Sequence, residues 1–361
     1  MREIILPLIS FFSSIFFIAL LRPIAKITGL VDIPDSRKLH SDSIPLIGGI
    51  AMFFSILITV LIDSIILGSE VFPLKLWAYF FLSCSIMVFV GALDDRKGLT
   101  TAARFFFQVI VSLIMILGAG VLLSDLGGIL PGGGLLKLGW FAIPFTVFTC
   151  LGVINSINMI DGLDGLSGNL ILISLFGFGL SVNFWGDPGT LIAISILSAS
   201  IAGFLVFNLR VFGRHRASVF MGDAGSMMFG FILAWAAIQL SQGEYRVLKP
   251  AAVLWFLMVP IYDTVTIIAR RVLAGRSPLQ PDAEHLHHLL LRLGFSVGQT
   301  ITIICFIAII GVLVGIAGNY FKCPEFLMAI CFVFFGLIYL SMMQLAWRSR
   351  SLFGRSFEVD D

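Results

Sequence analysis

Long apolar runs alternate with short polar segments along this 361-residue chain. A helix needs about 20 mostly apolar residues to cross the hydrocarbon core of a membrane, and the pattern predicts about eleven such helices. The fifth and eighth runs are short, so their ends are the least well defined. The predicted fold class is therefore an all-α polytopic membrane protein. The predicted spans are Ile4–Leu21, Pro45–Ile66, Leu76–Leu93, Phe105–Leu123, Trp140–Ile154, Leu166–Phe184, Thr190–Leu209, Met227–Leu240, Ala251–Ala269, Thr300–Tyr320 and Phe326–Trp347.

The composition supports a membrane protein. Charged residues make up 12% of the chain and hydrophobic residues 58%, whereas soluble domains carry about 25% charged residues. A water-soluble protein is therefore excluded, and no nucleic-acid partner is expected. The five cysteines are odd in number and form no Cys-x-x-Cys pair, which favours small buried apolar side chains over a disulfide framework or a metal site.

Basic residues are concentrated in one alternate set of the predicted loops. That set holds 17 of the 23 Lys and Arg residues and all five His residues. Basic residues stay on the cytoplasmic side of a membrane. We therefore predict an N-terminus outside, a C-terminus in the cytoplasm, and an active site in a cleft at the cytoplasmic face.

Two adjacent acids, Asp94 and Asp95, end the third predicted span. Neighbouring carboxylates repel each other, and both stay ionised only with a cation or a basic partner nearby. A solvated helix end, with Arg96 and Lys97 as ordinary topology signals, is the structural alternative. This motif alone does not decide between the two.

A ladder of polar side chains follows the fifth span, where Asn155, Asn158, Asp161 and Asp164 recur at every third position. Residues three apart are neighbours on a helix. Amide and carboxylate oxygens are the ligands that a hard cation such as Mg²⁺ prefers. Interhelical hydrogen bonding would also explain the two amides, but it does not explain two carboxylates directly below them.

An acid between two glycines, Asp223 between Gly222 and Gly225, leads into the eighth span, and Ser226 is placed to cap the helix. Free N–H groups at a helix start attract phosphate, and Asp223 can bring the metal that neutralises it. A simple capped turn is the structural alternative.

The long loop after the ninth span carries Arg276 and a cluster of His285, His287 and His288. Zinc usually takes three or four nitrogen or sulfur ligands, and no Cys or well-placed carboxylate completes such a set. Arg and His are better suited to binding phosphate oxygens. Asp263 lies within the ninth span, where a charge costs about 2.5–3.5 kcal/mol, so we expect it to face the bundle interior with a partner.

Together these segments resemble the polyprenyl-phosphate N-acetylhexosamine-1-phosphate transferase superfamily, glycosyltransferase family 4. Within it, the chain is most similar to the bacterial undecaprenyl-phosphate N-acetylglucosamine-1-phosphate transferases. The resemblance covers nearly the whole chain, and six motifs in the same order on an eleven-span protein are highly specific. The motifs are Gly29–Asp32 with Arg37, Lys38 and His40, then Pro45–Ile50, Gly91–Arg96, Asn158–Gly162, Val219–Ser226 and His285–His288.

The resemblance implies one transmembrane catalytic domain over residues 1–347, in the bacterial inner membrane, with a short cytoplasmic tail over 348–361. It implies transfer of N-acetylglucosamine-1-phosphate from UDP-N-acetylglucosamine to undecaprenyl phosphate with release of UMP. Mg²⁺ or Mn²⁺ is the implied cofactor. The lipid product would start synthesis of a cell-envelope polysaccharide such as O-antigen, common antigen or teichoic acid. A homodimer is compatible with this assignment.

The resemblance also implies roles for individual residues. Asp223 and Asn158 are the expected metal ligands. The expected catalytic residues are Asp94, Asp95, Asp161 and Asp164. The expected substrate-binding residues are Arg104, for the lipid phosphate, together with Asn155, Arg276, His285, His287 and His288.

Three other functions are weighed against this one. The donor sugar could be a related one, or the chain could be a phospho-N-acetylmuramoyl-pentapeptide transferase, a branch that uses similar aspartates but differs in its donor-facing segments. A secondary transporter would place coupling groups near the membrane midplane and often has paired repeats. Here the acids gather at one face, and no repeat is visible.

Overall fold

The computed structural model describes residues 1–32, 43–66, 74–210, 214–243, 246–277 and 284–353, and of residues 348–353 the backbone alone. The motif residues Arg37, Lys38 and His40 and the end of the predicted tail lie outside this part. The helices are α1 (Arg2–Thr28), α2 (Gly48–Leu61), α3 (Leu74–Lys97), α4 (Thr101–Leu113), α5 (Ala142–Ile160), α6 (Leu166–Trp185), α7 (Pro188–Asn208), α8 (Gly222–Ser241), α9 (Pro250–Phe256), α10 (Met258–Leu273), α11 (Leu286–Arg292), α12 (Val297–Tyr320) and α13 (Glu325–Phe353). A two-stranded antiparallel sheet of β1 (Val31–Asp32) and β2 (Ile44–Pro45) is an addition to the predicted all-α fold.

The prediction of a helical protein with many membrane spans is confirmed. In the described part of the chain, ten helices are long and apolar enough to cross a membrane. The pair α9 and α10 would make an eleventh span if it crosses as one unit, but its two halves meet at an angle of 81°. Two of the spans lengthen through π-helical turns, Ile62–Ile66 after α2 and Ile114–Gly118 after α4.

The break between α9 and α10 corrects the prediction of one continuous ninth helix. Pro260 is the cause that the sequence offers, because proline has no N–H to donate to the carbonyl four residues earlier and its ring clashes there. That carbonyl belongs to Phe256, the last residue of α9. It accepts a hydrogen bond from the Ser174 hydroxyl at 2.9 Å instead. The break thus lies where a neighbouring helix can satisfy the freed backbone group.

Several helices extend beyond their predicted ends, and two of these extensions carry predicted site residues. The fifth was expected to end at Ile154 but continues to Ile160, so both asparagines of the ladder are helical. The eighth was expected to begin at Met227 but begins at Gly222, so Asp223 lies in its first turn. Both extensions carry polar residues, which is why an apolar pattern alone ends these helices too early.

Helix α8 is the most buried of the spanning helices, and its first turn is packed closely against α2 and α3. A Cβ built on Gly91 of α3 would lie 2.3 Å from the Ala224 nitrogen, and one on Gly49 of α2 would lie 2.1 Å from the Gly225 nitrogen. Only glycine permits such a close approach of backbones. The start of α8 is therefore held at a defined place between two other helices.

Backbone hydrogen bonds also fix the segment that leads into α8. The Phe220 N–H donates to the Pro45 carbonyl at 2.9 Å, and the Gly48 N–H donates to the Phe220 carbonyl at 3.0 Å. The segment therefore lies alongside the turn between β2 and α2. This arrangement gathers, at one end of the bundle, residues that are far apart in the chain.

Candidate active site

An acidic cleft of about 510 Å³ opens at the end of the bundle where α3 and α5 end and α8 begins. Six aspartates line it, and no other Asp or Glu of the described residues does so. They come from four separate segments of the chain, which is the convergence that the sequence motifs predicted. The polar residues that line it are Asp32, Asp94, Asp95, Asn158, Asp161, Asp164, Asn208, Arg210, Arg216, Asp223 and His288.

Asp94 is buried at the end of α3, and both of its carboxylate oxygens are engaged. One oxygen accepts the Leu99 backbone N–H at 2.6 Å, and the other accepts an Arg104 guanidinium N–H at 3.1 Å. The Nε–H of Arg104 is buried and has no hydrogen-bond partner among the described residues. A buried, unpaired guanidinium N–H beside the cleft is a donor that a phosphate oxygen could satisfy.

Asp95 contacts the first turn of α8. Its carboxylate accepts the backbone N–H of Asp223 at 2.9 Å and that of Ala224 at 3.3 Å. The first N–H groups of a helix have no partner within the helix, and the positive end of the helix dipole favours a carboxylate there. The prediction that Ser226 caps the start of α8 is wrong. The Ser226 hydroxyl lies inside the helix and donates to the Gly222 carbonyl at 3.1 Å.

Asn158 joins α5 to α8. Its amide group donates to an Asp223 carboxylate oxygen at 2.6 Å and to the Ser226 hydroxyl at 2.9 Å. Both amide hydrogens are thus used, and the amide oxygen of Asn158 is left for another ligand. The two residues expected to bind a metal are therefore direct neighbours.

Asp161 and Asp164 follow the end of α5. Asp161 accepts a hydrogen bond from the Ser167 hydroxyl at 2.6 Å. Burial, reinforced by the charges of Asp223 and Asp164, raises the pKa of Asp161 to about 7. The charge of Asp164 is balanced by Arg210, whose Nε–H it accepts at 2.8 Å. Asp164 also accepts the Ala217 backbone N–H at 2.9 Å.

The cleft has a donor set that suits a divalent cation. Asp223 lies close enough to Asp94 and Asp95 for mutual repulsion of the three carboxylates, and a cation between them would relieve it. Among the described residues no three His, Cys, Asp or Glu side chains form a complete metal site. Mg²⁺ usually takes one or two carboxylates together with waters and substrate phosphates, so Asp223 with Asn158 fits this ion.

The histidine loop is anchored on Asp263 of α10. Asp263 is buried and accepts hydrogen bonds from His285 Nδ1 at 2.6 Å, from the Leu286 N–H at 2.9 Å and from the Tyr339 hydroxyl at 3.1 Å. The expectation that Asp263 faces the interior with a partner is confirmed. It holds the start of α11, which carries the other two histidines of the cluster.

His287 and His288 extend from α11 towards the acidic cleft. His288 lines the cleft, and a Cβ on Gly162 at its floor would lie 2.5 Å from His287 Nε2. Neither ring nitrogen of His287 has a hydrogen-bond partner among the described residues. Burial, followed by the neighbouring His288 and His285, lowers the pKa of His287 to about 3. His287 is therefore a neutral imidazole at physiological pH.

Comparison with known proteins identifies the family. A sequence model of glycosyl transferase family 4 matches residues 77–241. Relatives named undecaprenyl-phosphate alpha-N-acetylglucosaminyl 1-phosphate transferase match most of the chain. The Escherichia coli K12 protein is 35% identical over 92% of this chain and 88% of its own length. The Yersinia pestis protein is 35% identical over 94% and 90%, and the Haemophilus influenzae protein is 34% identical over 94% of each chain.

The chain belongs to glycosyl transferase family 4. The resemblance drawn from the six motifs is thereby confirmed. The family segment runs from α3 to the end of α8. It contains five of the six aspartates that line the acidic cleft, whereas the histidine loop follows it in the chain. The assignment of individual roles within this family site stays a prediction.

Of the six expected substrate-binding residues, only His288 lines the acidic cleft. Arg104, His287 and His285 lie next to residues that line it, namely Asp94, Gly162 and His288. Asn155 and Arg276 lie apart from it. Asn155 lies one turn further into the bundle, where its amide donates to Gln108 at 2.8 Å and to the Leu151 carbonyl at 2.8 Å. Arg276 is exposed, and its guanidinium lies 3.7 Å from the Glu284 carboxylate. The structure therefore places the expected catalytic and metal-binding residues in the cleft wall, but of the expected substrate-binding residues it places only His288 there.

Four polar residues that line the cleft, Asp32, Asn208, Arg210 and Arg216, were not singled out as site residues from the sequence. Asp32 belongs to the first motif, and Arg210 and Arg216 counted only as signals of orientation. The available sequence signal was their position: Asp32 lies in the motif Gly29–Asp32, and Arg210 and Arg216 precede the motif Val219–Ser226. What the sequence could not show is that the end of α7 folds back onto the segment after α5, where Arg210 meets Asp164.

Proposed function

We propose that this chain transfers N-acetylglucosamine-1-phosphate from UDP-N-acetylglucosamine to undecaprenyl phosphate. The observation that supports the proposal best is the convergence of Asp94, Asp95, Asn158, Asp161 and Asp223 in one cleft. The relatives that match most of the chain are named for this acceptor and this sugar phosphate. UMP would leave, and the lipid-diphosphate-sugar would start synthesis of a cell-envelope polysaccharide.

The reaction exchanges one pyrophosphate bond for another. An oxygen of the lipid phosphate attacks the sugar-bearing phosphorus of the donor, and the bond from that phosphorus to the bridging oxygen of UMP breaks. The main obstacle is that two polyanions must meet in a cleft lined by carboxylates. Catalysis therefore depends on positioning and on neutralising charge.

Mg²⁺ or Mn²⁺ is part of this proposal, with Asp223 and the amide oxygen of Asn158 as its protein ligands. When bound, such an ion neutralises phosphate oxygens and holds them in place. Asn158 would set the orientation of the Asp223 carboxylate through its 2.6 Å hydrogen bond. Asp95 would hold the backbone of the same turn through the Asp223 N–H.

Arg104 and Asp94 would position the lipid phosphate. A phosphate monoester has its second pKa near 6, so the acceptor is mostly a dianion at neutral pH and needs no strong base. Both oxygens of Asp94 already accept hydrogen bonds. Asp94 would therefore orient Arg104, whose unpaired Nε–H would bind the acceptor.

The donor would lie on the side of Asp161, Asp164 and the histidines. His287 is neutral and buried, so it can donate or accept one hydrogen bond without bringing a charge. His288 lines the cleft and can reach a phosphate oxygen. Asp164 would keep Arg210 at the cleft wall through their ion pair.

The proposal includes the orientation that the basic residues predict. The acidic cleft lies at the helix ends that carry most of the Arg and His residues, so it would face the cytoplasm of a bacterial inner membrane. A cytoplasmic nucleotide-sugar could then reach it. A homodimer stays a prediction.

A panel of donors tests the proposal against its alternatives. Purified protein in detergent with undecaprenyl phosphate should release UMP from UDP-N-acetylglucosamine and form a labelled lipid. UDP-N-acetylmuramoyl-pentapeptide should give no product. Asp223→Ala should abolish UMP release. A wild-type protein that releases UMP only with the pentapeptide donor, or with none of the donors, would contradict the proposal.

A further inference from the structure

A second and larger cavity, of about 1360 Å³, lies beside the acidic cleft. We call it the basic cavity because of the residues that line it. No Asp or Glu of the described residues lies in its wall. Its basic residues are Arg22, Lys26, Arg210, Arg214, His215 and Arg216.

The two cavities are opposite in charge and share part of one wall. Arg210 and Arg216 line both of them. Arg210 uses its Nε–H for Asp164, at 2.8 Å, and a guanidinium has four further N–H groups. An anion in the basic cavity would thus contact the same arginine that neutralises an aspartate of the acidic cleft.

The basic cavity begins at the end of a membrane-spanning helix. Arg22 and Lys26 are both exposed and lie four residues apart, on one face of the last turns of α1. Apolar side chains also line the cavity: Leu291 near the end of α11, Phe295, and Val297 at the start of α12. The lining therefore combines cations with apolar side chains.

Contacts within the protein hold the basic segment of the cavity lining, residues 214–218, in place. Arg214 donates to the Val206 carbonyl at 2.5 Å and to the Ser218 hydroxyl at 3.4 Å. Ala217, between the basic residues and Ser218, donates its N–H to Asp164. The segment is therefore bonded through Ala217 to Asp164 of the acidic cleft. Its basic residues Arg214, His215 and Arg216 line the basic cavity.

We propose that the basic cavity is a second anion-binding site that takes a phosphate group, separate from the acidic cleft where the substrates would react. Guanidinium groups bind phosphate oxygens in pairs, and a concave wall of one charge concentrates the field on such a ligand. Two sources supply this chemistry. One is the headgroup of an anionic phospholipid at the end of α1, and the other is soluble phosphate or pyrophosphate.

A double substitution, Arg22→Gln with Lys26→Gln, removes two cations from the cavity wall and none from the acidic cleft. The matched control is Arg96→Gln with Lys97→Gln, because these residues are exposed at the end of α3 and line neither cavity. The full-length protein is placed in nanodiscs of phosphatidylcholine with phosphatidylglycerol, and retained phosphatidylglycerol is counted by native mass spectrometry. In discs of phosphatidylcholine alone, pyrophosphate binding is measured by calorimetry.

The double substitution should weaken binding about tenfold or more in at least one arm, since it removes charge-assisted hydrogen bonds, while the control pair binds like the wild type. A loss of phosphatidylglycerol alone identifies the lipid headgroup as the source, and a loss of pyrophosphate alone identifies the soluble anion. Equal binding by wild type and double variant in both arms overturns the proposal. So does an equal loss in the control pair.

Asp223→Ala separates this site from the acidic cleft. This variant should bind phosphatidylglycerol and pyrophosphate as the wild type does, although it is expected to be inactive as an enzyme. Loss of the anion in this variant would place the ligand in the acidic cleft and overturn the proposal. Both experiments measure binding and need no catalytic turnover. Their result therefore does not depend on whether the protein carries out the proposed transfer reaction.

Discussion

The carboxylate of Asp95 accepts the backbone N–H of Asp223 at 2.9 Å, across the contact between α3 and α8. One acid of the cleft therefore holds the turn that presents another. The Ala224 N–H adds a second bond at 3.3 Å. Asp95 is thus placed to act through the position of Asp223, and its removal should affect both stability and activity.

Asp95→Ala should lower the free energy of unfolding by about 0.5–2 kcal/mol, because it leaves helix N–H groups without their acceptor. Asp95→Asn keeps an acceptor oxygen and should recover part of this stability. Thermal unfolding in detergent measures the change. Asp187→Ala is the control, since Asp187 caps α7 by accepting the Thr190 N–H at 2.9 Å and lies outside the acidic cleft. It should lose similar stability and keep its activity, whereas a fully active Asp95→Ala protein would contradict the positioning role.

Asp223→Asn should weaken Mn²⁺ binding by about tenfold or more and lower kcat by about 10²–10³. The side chain keeps its shape but loses the charge that holds the ion. Electron paramagnetic resonance of free and bound Mn²⁺ measures the affinity. Asp164→Asn provides the comparison, because Asp164 is already paired with Arg210. Equal Mn²⁺ affinity in the wild type and Asp223→Asn would remove Asp223 from the metal site.

Asp94→Asn should lose activity at every pH. The acceptor phosphate ionises near pH 6 without help, and the defect would be the lost ion pair with Arg104 at 3.1 Å. The measurement is the pH profile of kcat/KM for the lipid phosphate. Activity that returns as the pH rises would show that Asp94 acts as a general base.

Asp263→Asn should raise KM for the donor more than it lowers kcat, because it loosens the start of α11 that carries the histidines. Tyr339→Phe removes only the 3.1 Å bond to Asp263 and leaves its two nitrogen donors, so its effect should be smaller. Steady-state kinetics with varied donor concentration separate the two constants. A lower kcat with an unchanged KM would argue against a donor-positioning role.

Gly91→Ala should destabilise the protein by about 1–3 kcal/mol or more, since its Cβ would lie 2.3 Å from the Ala224 nitrogen and force α3 away from α8. Gly152→Ala on α5 is the matched control. No atom outside the local helix backbone lies within 4 Å of the position that its Cβ would take, and alanine is favoured over glycine in a helix. Thermal unfolding should therefore show a loss for the first variant and no loss for the second.

The number of spans and the clustering of acids at helix ends could be predicted because both follow from local sequence. A run of apolar residues predicts a span wherever it packs, and motif residues at alternate helix ends must meet on the same side of the membrane. The break after Phe256 also had a local signal in Pro260, but the long apolar run around it concealed that signal.

Pairings across the fold could not be predicted in this way. Asp263 bonds His285, which lies 22 residues further along the chain, and Asn155 bonds Gln108 on a different helix. Nothing in the local sequence distinguishes Asn155, which faces the bundle, from Asn158, which faces Asp223. The packing of α4 and α8 around α5 decides which asparagine reaches the cleft.

Transfer of the sugar together with its phosphate is the central claim, and UDP-N-acetylglucosamine labelled with ³²P in the sugar-bearing phosphate tests it most directly. Wild-type protein with undecaprenyl phosphate should move the label into the lipid and release unlabelled UMP in equal amount, and Asp223→Ala should move none. A lipid that gains the sugar without the label, or a label that stays on the nucleotide, would contradict the account.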